Sequence, residues 1–402
     1  MITREENNLL TSVGRGTPIG EFWRRYWIPI AISAELQNKP TFIRVLGEDL
    51  VLFRNGKGQP GLLGALCSHR RANLCLGTVL PDGLRCRYHG WIYDTNGNVI
   101  QTPGEPPGSN FKDTIHHLAY SVQEMGSLIF AYLGPQPEPL LPRFNFLAGK
   151  GERHSKITGV AKCNWLQCVE NGIDPLHVSF THGDVWADLE VEPEMDFEET
   201  EHGLVHKAYR PAEEPGKFNY REHHLLMPGI SCGGSQQRNL EGAAGTPPIS
   251  CRWSVPIDDT HTLIIRLIYK PADNPGRFTR DPIPPAWRAV EIEPYKEHNQ
   301  NSGDGPVELG YTMARLIATE DATLMDSLGP IVDRENEHLL TQADYGISTL
   351  RSMYLNEVEV VNRGLDPKGV IRDKKKNGLI VIPSYELAIS EDQYRQMRSV
   401  HA

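Results

Sequence analysis

The chain has 402 residues, which is long for a single hydrophobic core, so two domains are expected. Its composition is that of an ordinary water-soluble protein, and a formal net charge of −10 argues against binding to nucleic acid or to an anionic membrane. The first ten residues include acids, and no uncharged apolar run approaches the roughly 20 residues of a membrane span, so the sequence predicts a cytoplasmic protein.

The N-terminal segment predicts two short helices. Thr3 and Glu6 form a capping-box pattern in front of residues 7–13, which predicts a helix that stops at Gly14. A second short amphipathic segment covers residues 20–26.

After these helices the pattern changes to short β-rich runs separated by turn residues. It predicts a meander of small antiparallel strands that continues to about Gly134. The first runs are 43–46, 50–54 and 61–66, with turns at 47–49 and 55–56.

A Pro-rich stretch, 135–142, has the composition of a connector and predicts a domain boundary near residue 150. The predicted domains are therefore 1–150 and 151–402. The second domain has longer strands, such as 262–269, and a Gly/Gln/Ala-rich segment at 233–245 that predicts a mobile surface loop.

A long amphipathic helix is predicted near the end of the chain. Thr341 and Asp344 begin it, and Gly364 ends it. Its apolar residues recur at three- and four-residue steps: Ile347, Leu350, Tyr354, Val358 and Val361. The run Lys374 to Lys376 that follows predicts a solvated turn.

Two short segments each offer one thiol and one imidazole. Cys67 and His69 are followed by Cys86 and His89, in the pattern C-x-H-x16-C-x-x-H. A structural zinc site is one interpretation, although zinc fingers tend to pair cysteine with cysteine and histidine with histidine. A Rieske centre needs two thiolates on one iron and two imidazoles on the other, so two loops that each supply one of both kinds fit it better.

Residues 61–95, and the Gly90-Trp91 pair in particular, resemble the Rieske domain of ring-hydroxylating oxygenases. The resemblance implies that Cys67, His69, Cys86 and His89 hold a [2Fe-2S] cluster. It also implies an α+β fold, with an N-terminal antiparallel β domain for the cluster and a helix-grip (START-like) α+β catalytic domain after it.

The remaining cysteines have no metal-type spacing. The odd total of seven argues against a disulfide framework, so the other five are predicted to be inert packing residues. They are Cys75, Cys163, Cys168, Cys232 and Cys251.

A second histidine pair lies in the segment that contains Asp174, His177 and His182. Two imidazoles and one carboxylate form the facial triad that binds Fe(II), although two histidines on a helix are often surface or core residues. The family resemblance makes His177 and His182 ligands of a mononuclear iron. It makes Asp174 a bridge between His89 of one subunit and His177 of the next; a helix cap or turn acid is the alternative role for Asp174.

The third ligand must be a carboxylate from elsewhere in the chain. Residues 318–334 resemble the phthalate-dioxygenase-like branch, where an acid eight residues before a Gly-Pro-Ile turn completes the triad. Counting back from Gly329 gives Asp321. Glu320 and Asp326 are the rivals, and helical periodicity puts Asp326 on a different face from Asp321.

No G-x-G-x-x-G motif lies between a strand and a helix, so the chain has no dinucleotide site of its own by sequence. The resemblance implies electrons from an NADH-dependent flavin and iron-sulfur reductase, directly or through a ferredoxin. It also implies a ring of identical subunits, typically a trimer.

The resemblance implies a terminal oxygenase that uses O2 to hydroxylate a small aromatic compound once or twice, an aromatic acid or an aryl ether. O- or N-dealkylation is the alternative in the same class, because the iron ligands alone do not choose among these reactions. An electron carrier without oxygen chemistry and a zinc-stabilised interaction protein are alternatives of other classes. Four arginines could hold a substrate carboxylate, and none is favoured: Arg210, Arg238, Arg252 and Arg266.

Overall fold

The fold is taken from a computed structural model that describes residues 2–182, 189–234, 248–273, 321–322, 324–383 and 385–399. Within those ranges, no helix combines the length and the apolar character that crossing a bilayer requires. The predicted loop at 233–245 lies outside the described residues beyond Gly234.

The first helix begins with the predicted capping box. Thr3 Oγ1 accepts a hydrogen bond from the Glu6 backbone N–H at 3.1 Å, and Glu6 accepts one from the Thr3 N–H at 2.7 Å. Helix α1 spans Arg4–Thr11, so it ends before the predicted stop at Gly14. The reason is a distant partner, because the Val13 N–H donates to the Asp259 carboxylate instead of continuing the helix. Helix α2 spans Pro18–Arg24.

The predicted meander forms a six-stranded antiparallel sheet in the order β1-β10-β9-β4-β3-β2. Its first hairpin is tighter than predicted, because Val45 pairs with Glu48 and leaves only Leu46 and Gly47 in the turn, both with positive φ. The strands are β1 Trp27–Ile32, β2 Thr41–Val45, β3 Glu48–Arg54, β4 Pro60–Gly64, β9 Ala119–Met125 and β10 Leu128–Tyr132.

A small four-stranded sheet, β5-β6-β7-β8, is inserted in this meander. It has its own apolar cluster, which includes Leu74, Leu84, Tyr93 and the two motif cysteines, Cys67 and Cys86. The strands are β5 Thr78–Leu80, β6 Gly83–Arg85, β7 Ile92–Tyr93 and β8 Val99–Gln101.

The later part of the chain forms an eight-stranded antiparallel sheet, β11-β17-β16-β15-β14-β13-β12. The eighth strand, β18, pairs with the first half of β14, while β15 pairs with its last residues. The strands are β11 Gly151–Ala161, β12 Glu194–Glu199, β13 Gly203–Pro211, β14 Lys217–Leu226, β15 Ile230–Gly234, β16 Ile249–Asp258, β17 His261–Pro271 and β18 Tyr385–Ser390.

Helices pack on this sheet, which confirms the α+β class of the second part of the chain. The predicted C-terminal helix is present, with the Thr341–Asp344 capping box and five buried residues at the predicted apolar positions. The helices are α3 Asn145–Ala148, α4 Trp165–Ile173, α5 His177–Thr181, α6 Gln342–Asn362 and α7 Glu391–Ser399. Short 3-10 helices cover Ser33–Glu35, Leu74–Leu76, Phe111–Thr114 and the exposed Lys374–Lys376.

The main apolar core joins the N-terminal helices to the eight-stranded part. Trp23 of α2 packs edge-on against Trp165 of α4 at 5.2 Å between ring centroids, and Trp165 packs likewise against Tyr354 of α6 at 4.9 Å. The Trp165 indole N–H also donates to the Leu10 carbonyl in α1. The division at residue 150 stays a prediction, and this core crosses it.

Candidate metal centres

Two backbone loops present the first set of predicted ligands, and they have the same hydrogen-bond pattern. The N–H of the residue four positions after each cysteine donates to the cysteine carbonyl, from Arg71 to Cys67 at 2.9 Å and from Gly90 to Cys86 at 3.0 Å. Both donors have positive φ, 60° and 75°. This backbone turn suits glycine, so Arg71 adopts a conformation that residues with a side chain rarely take.

The side chains of these loops sort by type. The thiols of Cys67 and Cys86 are buried, whereas His69 is exposed and His89 is half-buried. The two imidazole centroids are 4.6 Å apart, and His69 stacks on Trp91 with an interplanar angle of 5°. Thiols inside and imidazoles outside are the donor arrangement that suits one iron held by sulfur and another held by nitrogen near the surface.

A tyrosine supports the first loop. The Tyr93 hydroxyl is hydrogen-bonded to Cys67 Sγ at 3.0 Å and accepts a hydrogen bond from the Ser68 N–H at 3.1 Å. Burial, and next the hydrogen bond with Cys67, raise the pKa of Tyr93 well above its ordinary value, so the hydroxyl keeps its proton and can donate to Cys67 when the latter is a thiolate ligand. Hydrogen bonds to cluster sulfurs raise the reduction potential of iron-sulfur centres. Tyr93 lies inside the resembling segment, but the sequence analysis assigned it no role.

The second set of predicted ligands consists of His177 at the start of α5, His182 directly after the end of α5, and Asp321 in a helical segment, residues 321–322 and 324–327. His182 Nε2 is 3.0 Å from Asp321 Oδ1, and His177 Nε2 is 3.5 Å from the same oxygen. One ligand atom from each residue lies within 4.8 Å of the others. Since metal–ligand bonds of about 2.1 Å put neighbouring donors about 3 Å apart, these side chains fit a single metal ion.

The carboxylate of this group is charged. Burial by itself raises the pKa of Asp321, but hydrogen bonds from His177 and His182 outweigh it and hold that pKa well below its ordinary value. The rival acid Asp326 points elsewhere, because its carboxylate accepts a hydrogen bond from the Lys162 N–H at the end of β11. Glu320 lies outside the described residues.

Asp174 has two different surroundings for its two carboxylate oxygens. Oδ1 accepts hydrogen bonds from the Leu176 and His177 N–H groups, at 2.8 and 3.3 Å, and so closes the turn that leads into α5. Oδ2 lies 3.8 Å from His177 Nδ1, a buried atom that has no hydrogen-bond partner among the described residues. Asp174 therefore makes the contacts of a turn acid, the alternative role stated above, and these contacts leave its second oxygen beside the imidazole.

Two polar residues lie near the histidines: Asn171, which received no role from the sequence, and Arg252, one of the four arginines suggested for a substrate carboxylate. The Asn171 amide N–H2 lies 3.4 Å from both His177 Nε2 and Asp321 Oδ1. Arg252 of β16 reaches Asn171 Oδ1 at 3.4 Å and also donates to the Cys168 carbonyl. Asn171 stands six residues before His177 in the quoted segment, but its spacing alone carries no metal-ligand signal.

A buried ion network fixes the helix that leads to this site. Glu170 of α4 accepts hydrogen bonds from Arg334 at 2.8 Å and from Arg351 of α6 at 2.6 Å, and both arginine side chains are at most 2% exposed. Arg334 also donates to the Asn7 side chain in α1. This network connects α1, α4 and α6 near the C-terminal end of α4.

The arginines suggested for substrate binding have different positions. Arg210 donates to the Pro175 carbonyl and the Ser179 hydroxyl, so it supports α5. Arg252 faces Arg266 across β16 and β17, and burial together with the Arg252 charge lowers the pKa of Arg266 to about 10. Arg238 lies outside the described residues.

The cysteines outside the motif are reduced, and four of the five are buried. They form two close pairs, Cys163 with Cys168 at 3.7 Å and Cys232 with Cys251 at 2.9 Å between sulfurs. Burial raises the pKa of the fifth, Cys75, to about 11. These surroundings suit inert packing residues.

Comparison with protein families identifies the part of the chain that contains the first set of predicted ligands. Residues 26–123 match the family model of the Rieske [2Fe-2S] domain, so this part of the chain is a Rieske domain and carries a [2Fe-2S] cluster. The match begins after α1 and α2 and ends within β9.

Curated relatives match almost the whole chain. The 5,5'-dehydrodivanillate O-demethylase oxygenase subunit of Sphingobium is 33% identical, over 96% of this chain and 87% of its own length. The phenoxybenzoate dioxygenase alpha subunit of Ectopseudomonas oleovorans is 33% identical over 90% and 87%, and the phthalate 4,5-dioxygenase oxygenase subunit of Pseudomonas putida is 28% identical over 90% and 88%.

Solved structures have the same fold. The terminal oxygenase of carbazole 1,9a-dioxygenase from Novosphingobium aligns with a TM-score of 0.60 at 21% identity, over 87% of this chain and 96% of that one. The NdmA protein of Pseudomonas putida CBB5 aligns with a TM-score of 0.61 at 19% identity, over 89% and 99%. Oxygenase subunits of this family work with ferredoxin or reductase partners and form oligomers.

These findings confirm the predicted fold, a Rieske β domain followed by an α+β catalytic domain, and the predicted class of enzyme, an oxidoreductase. The chain belongs to the phthalate-dioxygenase-like branch of the Rieske oxygenases, as a terminal oxygenase subunit.

Proposed function

We propose that this oxygenase subunit uses O2 at a mononuclear Fe(II) held by His177, His182 and Asp321. The observation that carries the proposal is the convergence of one donor atom from each residue within 4.8 Å. Two imidazoles and a carboxylate on one side of an iron leave its other coordination positions open, and such iron activates O2.

The protein side chains around the triad have separate tasks. Asp321 supplies a negative charge that offsets part of the charge of Fe(II), and its low pKa keeps that charge over the neutral range. Asn171 touches both a histidine and the carboxylate, and Arg252 holds Asn171 from the other side. Such outer contacts orient metal ligands.

We infer that Cys67, His69, Cys86 and His89 are the ligands of the [2Fe-2S] cluster. Electrons come from an NADH-dependent flavin and iron-sulfur reductase, directly or through a ferredoxin. The exposure of His69 supports docking of such a partner at the cluster loops. The solved complex of carbazole 1,9a-dioxygenase, which contains an oxygenase and a ferredoxin, supports a ferredoxin as one such partner.

The subunits are proposed to form a trimer in which Asp174 connects two chains. One oxygen of Asp174 is used within its own chain, while the other lies beside a His177 nitrogen for which the described part of the chain offers no hydrogen-bond partner. A carboxylate in this position can accept a hydrogen bond from His177 and one from His89 of a neighbouring subunit.

The substrate is a small aromatic compound, and hydroxylation of its ring, once or twice, is the reaction. The names of three relatives support this substrate class, since they act on phenoxybenzoate, phthalate and 3-chlorobenzoate as dioxygenases. The half-buried arginines near the triad, Arg252 and Arg266, add positive charge that suits an aromatic acid.

O-demethylation of a methoxy-aromatic is the second candidate function. One relative favours it. The oxygenase subunit of 5,5'-dehydrodivanillate O-demethylase is 33% identical to this chain and matches 96% of it. Oxidation of a methyl carbon attached to oxygen needs the same iron ligands as ring hydroxylation, so the shape and polarity of the pocket decide between them.

The test is oxygen uptake and product mass with a compatible reductase, NADH and a panel of benzoates and methoxybenzoates. We expect turnover in the wild type and its loss in His177→Ala, with the cluster absorbance unchanged and metal analysis falling from about three to about two irons per chain. Asp326→Asn, which changes the rival acid, is the matched control and should keep turnover.

Two results would contradict the proposal. Turnover that survives in His177→Ala would make the chain an electron carrier without oxygen chemistry of its own. Loss of iron and turnover in Asp326→Asn but not in Asp321→Asn would move the third ligand to the rival acid. Product mass distinguishes addition of oxygen to the ring from loss of a methyl group.

A further inference from the structure

The eight-stranded sheet presents polar side chains to the helices that carry the candidate iron site. Arg210 of β13 donates to the Pro175 carbonyl at 2.9 Å and to the Ser179 hydroxyl at 3.3 Å, so its side of β13 faces α5. His206 lies four residues earlier in the same strand and therefore on the same side. The charge of His177 is also among those that act on His206.

A second histidine lies directly opposite His206. His206 pairs with His223 of β14 in the antiparallel register, so both side chains leave the same face of the sheet. Their ring centroids are 5.0 Å apart at an angle of 78°. A Cβ at Gly233 would come within 2.4 Å of His223 Nε2, so glycine at that position makes room for the imidazole.

His206 is buried without hydrogen-bond partners. It is 4% exposed, and neither Nδ1 nor Nε2 has a partner among the described residues. The imidazole ring of His206 stacks on the phenyl ring of Phe197 with an interplanar angle of 22°. Buried ring nitrogens are nearly always paired in folded proteins, so an unpaired histidine on a face that lies under a metal site points to a ligand.

Both rings are neutral. Burial, and then the charges of neighbouring histidines and arginines, lower the pKa of His206 well below its ordinary value and that of His223 to about 3. A neutral imidazole offers one N–H donor and one nitrogen acceptor. Two such rings match a hydroxyl group, which accepts from one and donates to the other, whereas a carboxylate only accepts and an ammonium only donates.

We propose that His206 and His223 form the subsite that binds a hydroxyl substituent of the aromatic substrate, and so orient the ring under His177, His182 and Asp321. The inference rests on the proposed function for the identity of the site, and it narrows the substrate class to phenols and other hydroxylated aromatics. The two histidines determine specificity and do not take part in the oxygen chemistry.

Binding is measured by calorimetry on the cluster-loaded enzyme, without reductase. The probes are matched pairs that differ in one hydroxyl group: 4-hydroxy-3-methoxybenzoate with 3-methoxybenzoate, 3-hydroxybenzoate with benzoate, and 4-hydroxybiphenyl with biphenyl. At least one hydroxylated probe should bind about tenfold or more tightly than its partner, because a site built to pair a hydroxyl discriminates strongly against its absence.

Variants identify the residues responsible. His206→Phe keeps the ring volume and removes both nitrogens, so the ratio of the two dissociation constants should fall to about one while the deoxy probe binds as before. His206→Gln retains a donor and an acceptor and should keep part of the ratio. His261→Phe, at the exposed hairpin between β16 and β17, is the control and should keep all of it.

A stability measurement separates a binding role from a structural one. Since His206 has no hydrogen-bond partner among the described residues, Phe in its place should raise the melting temperature of the ligand-free enzyme. A lower melting temperature with an unchanged binding ratio would overturn the inference. So would a panel in which no hydroxylated probe binds more tightly than its partner, including a panel without binding.

The result is independent of the test of the proposed function. Selective binding of a hydroxylated probe without oxygen uptake would refute the oxygenase reaction and leave the subsite standing. If oxygen is taken up but both members of every probe pair bind with equal affinity, the oxygenase reaction is supported and the hydroxyl subsite is refuted.

Discussion

The two metal-binding regions are built in opposite ways. The cluster loops lie close together in the sequence, between Cys67 and His89, and each is closed by its own backbone hydrogen bonds. At the candidate mononuclear site, His182 and Asp321 are 139 positions apart, and the segment that bears the histidines is held by a buried ion network. A site whose ligands are close together in the sequence can be recognised as a motif, and changes within that motif are enough to disrupt it. A site assembled over long distances also depends on residues that never touch the metal.

The largest effect should come from the cluster loops. Cys86→Ala removes a thiolate ligand and should abolish the cluster and reduce turnover by about a thousandfold or more, because electrons no longer reach the oxygenase. Iron at the triad should remain, since the loops have a separate small core. Metal analysis and visible absorbance check this. Cys75→Ala, in the same core, is the control, and loss of all iron in Cys86→Ala would show that the two sites are not built independently.

The next effect tests the long-range network. Glu170→Gln leaves Arg334 and Arg351 buried without their carboxylate, so the free energy of unfolding should fall by about 3 kcal/mol. Glu335→Gln removes the carboxylate of an exposed ion pair with Arg4 and should change the free energy of unfolding by less than about 0.5 kcal/mol. Urea unfolding followed by tryptophan fluorescence measures both. Equal effects in the two variants would mean that the network does not hold α4.

A smaller effect should separate metal affinity from folding. Asn171→Ala removes the amide that contacts His177 and Asp321, so the affinity for Fe(II) at the triad should fall about tenfold to a hundredfold. Titration of iron-depleted protein with Fe(II) gives the dissociation constant. An unchanged constant would restrict Asn171 to holding Arg252.

The smallest effect depends on pH. Burial lowers the pKa of His223 to about 3, so its ring stays neutral in the folded chain while it takes up a proton near pH 6.5 in the unfolded chain. Stability should therefore be lost as pH falls below 6.5, and this histidine should account for about 1 kcal/mol between pH 7.5 and 5.5. In His223→Phe the loss over that interval should be smaller by this amount, measured by urea unfolding at both pH values.

Local signals in the sequence predicted local structure well. The capping box at Thr3 and the helix start at Thr341 appear as predicted, because each depends on residues only three positions apart. The predicted end of α1 was wrong because the Val13 N–H donates a hydrogen bond to Asp259, which lies far away in the sequence. The first hairpin turn was placed one residue late because positive φ at Leu46 has no sequence signal in a leucine.

The same division applies to the site residues. The cluster motif and His177 with His182 could be named because short spacings and the family resemblance carry them. Asp321 needed the resemblance, since two neighbouring acids compete with it by sequence. Asn171 and the histidine pair of β13 and β14 could not be found, and Arg252 could not be separated from the other three arginines, because only the register of the sheet and the packing of α4 bring these residues to the site.

The contact between Trp23, Trp165 and Tyr354 has a consequence for how the enzyme could be taken apart. The Rieske family match starts after α2, yet α1 and α2 complete the apolar interior of the catalytic half. A fragment cut at the Pro-rich connector would carry these two helices away from their packing partners, and both pieces would expose aromatic surface to water. Transplanting the cluster module onto another oxygenase should therefore leave the first 25 residues with the catalytic half and join the module at both of its ends.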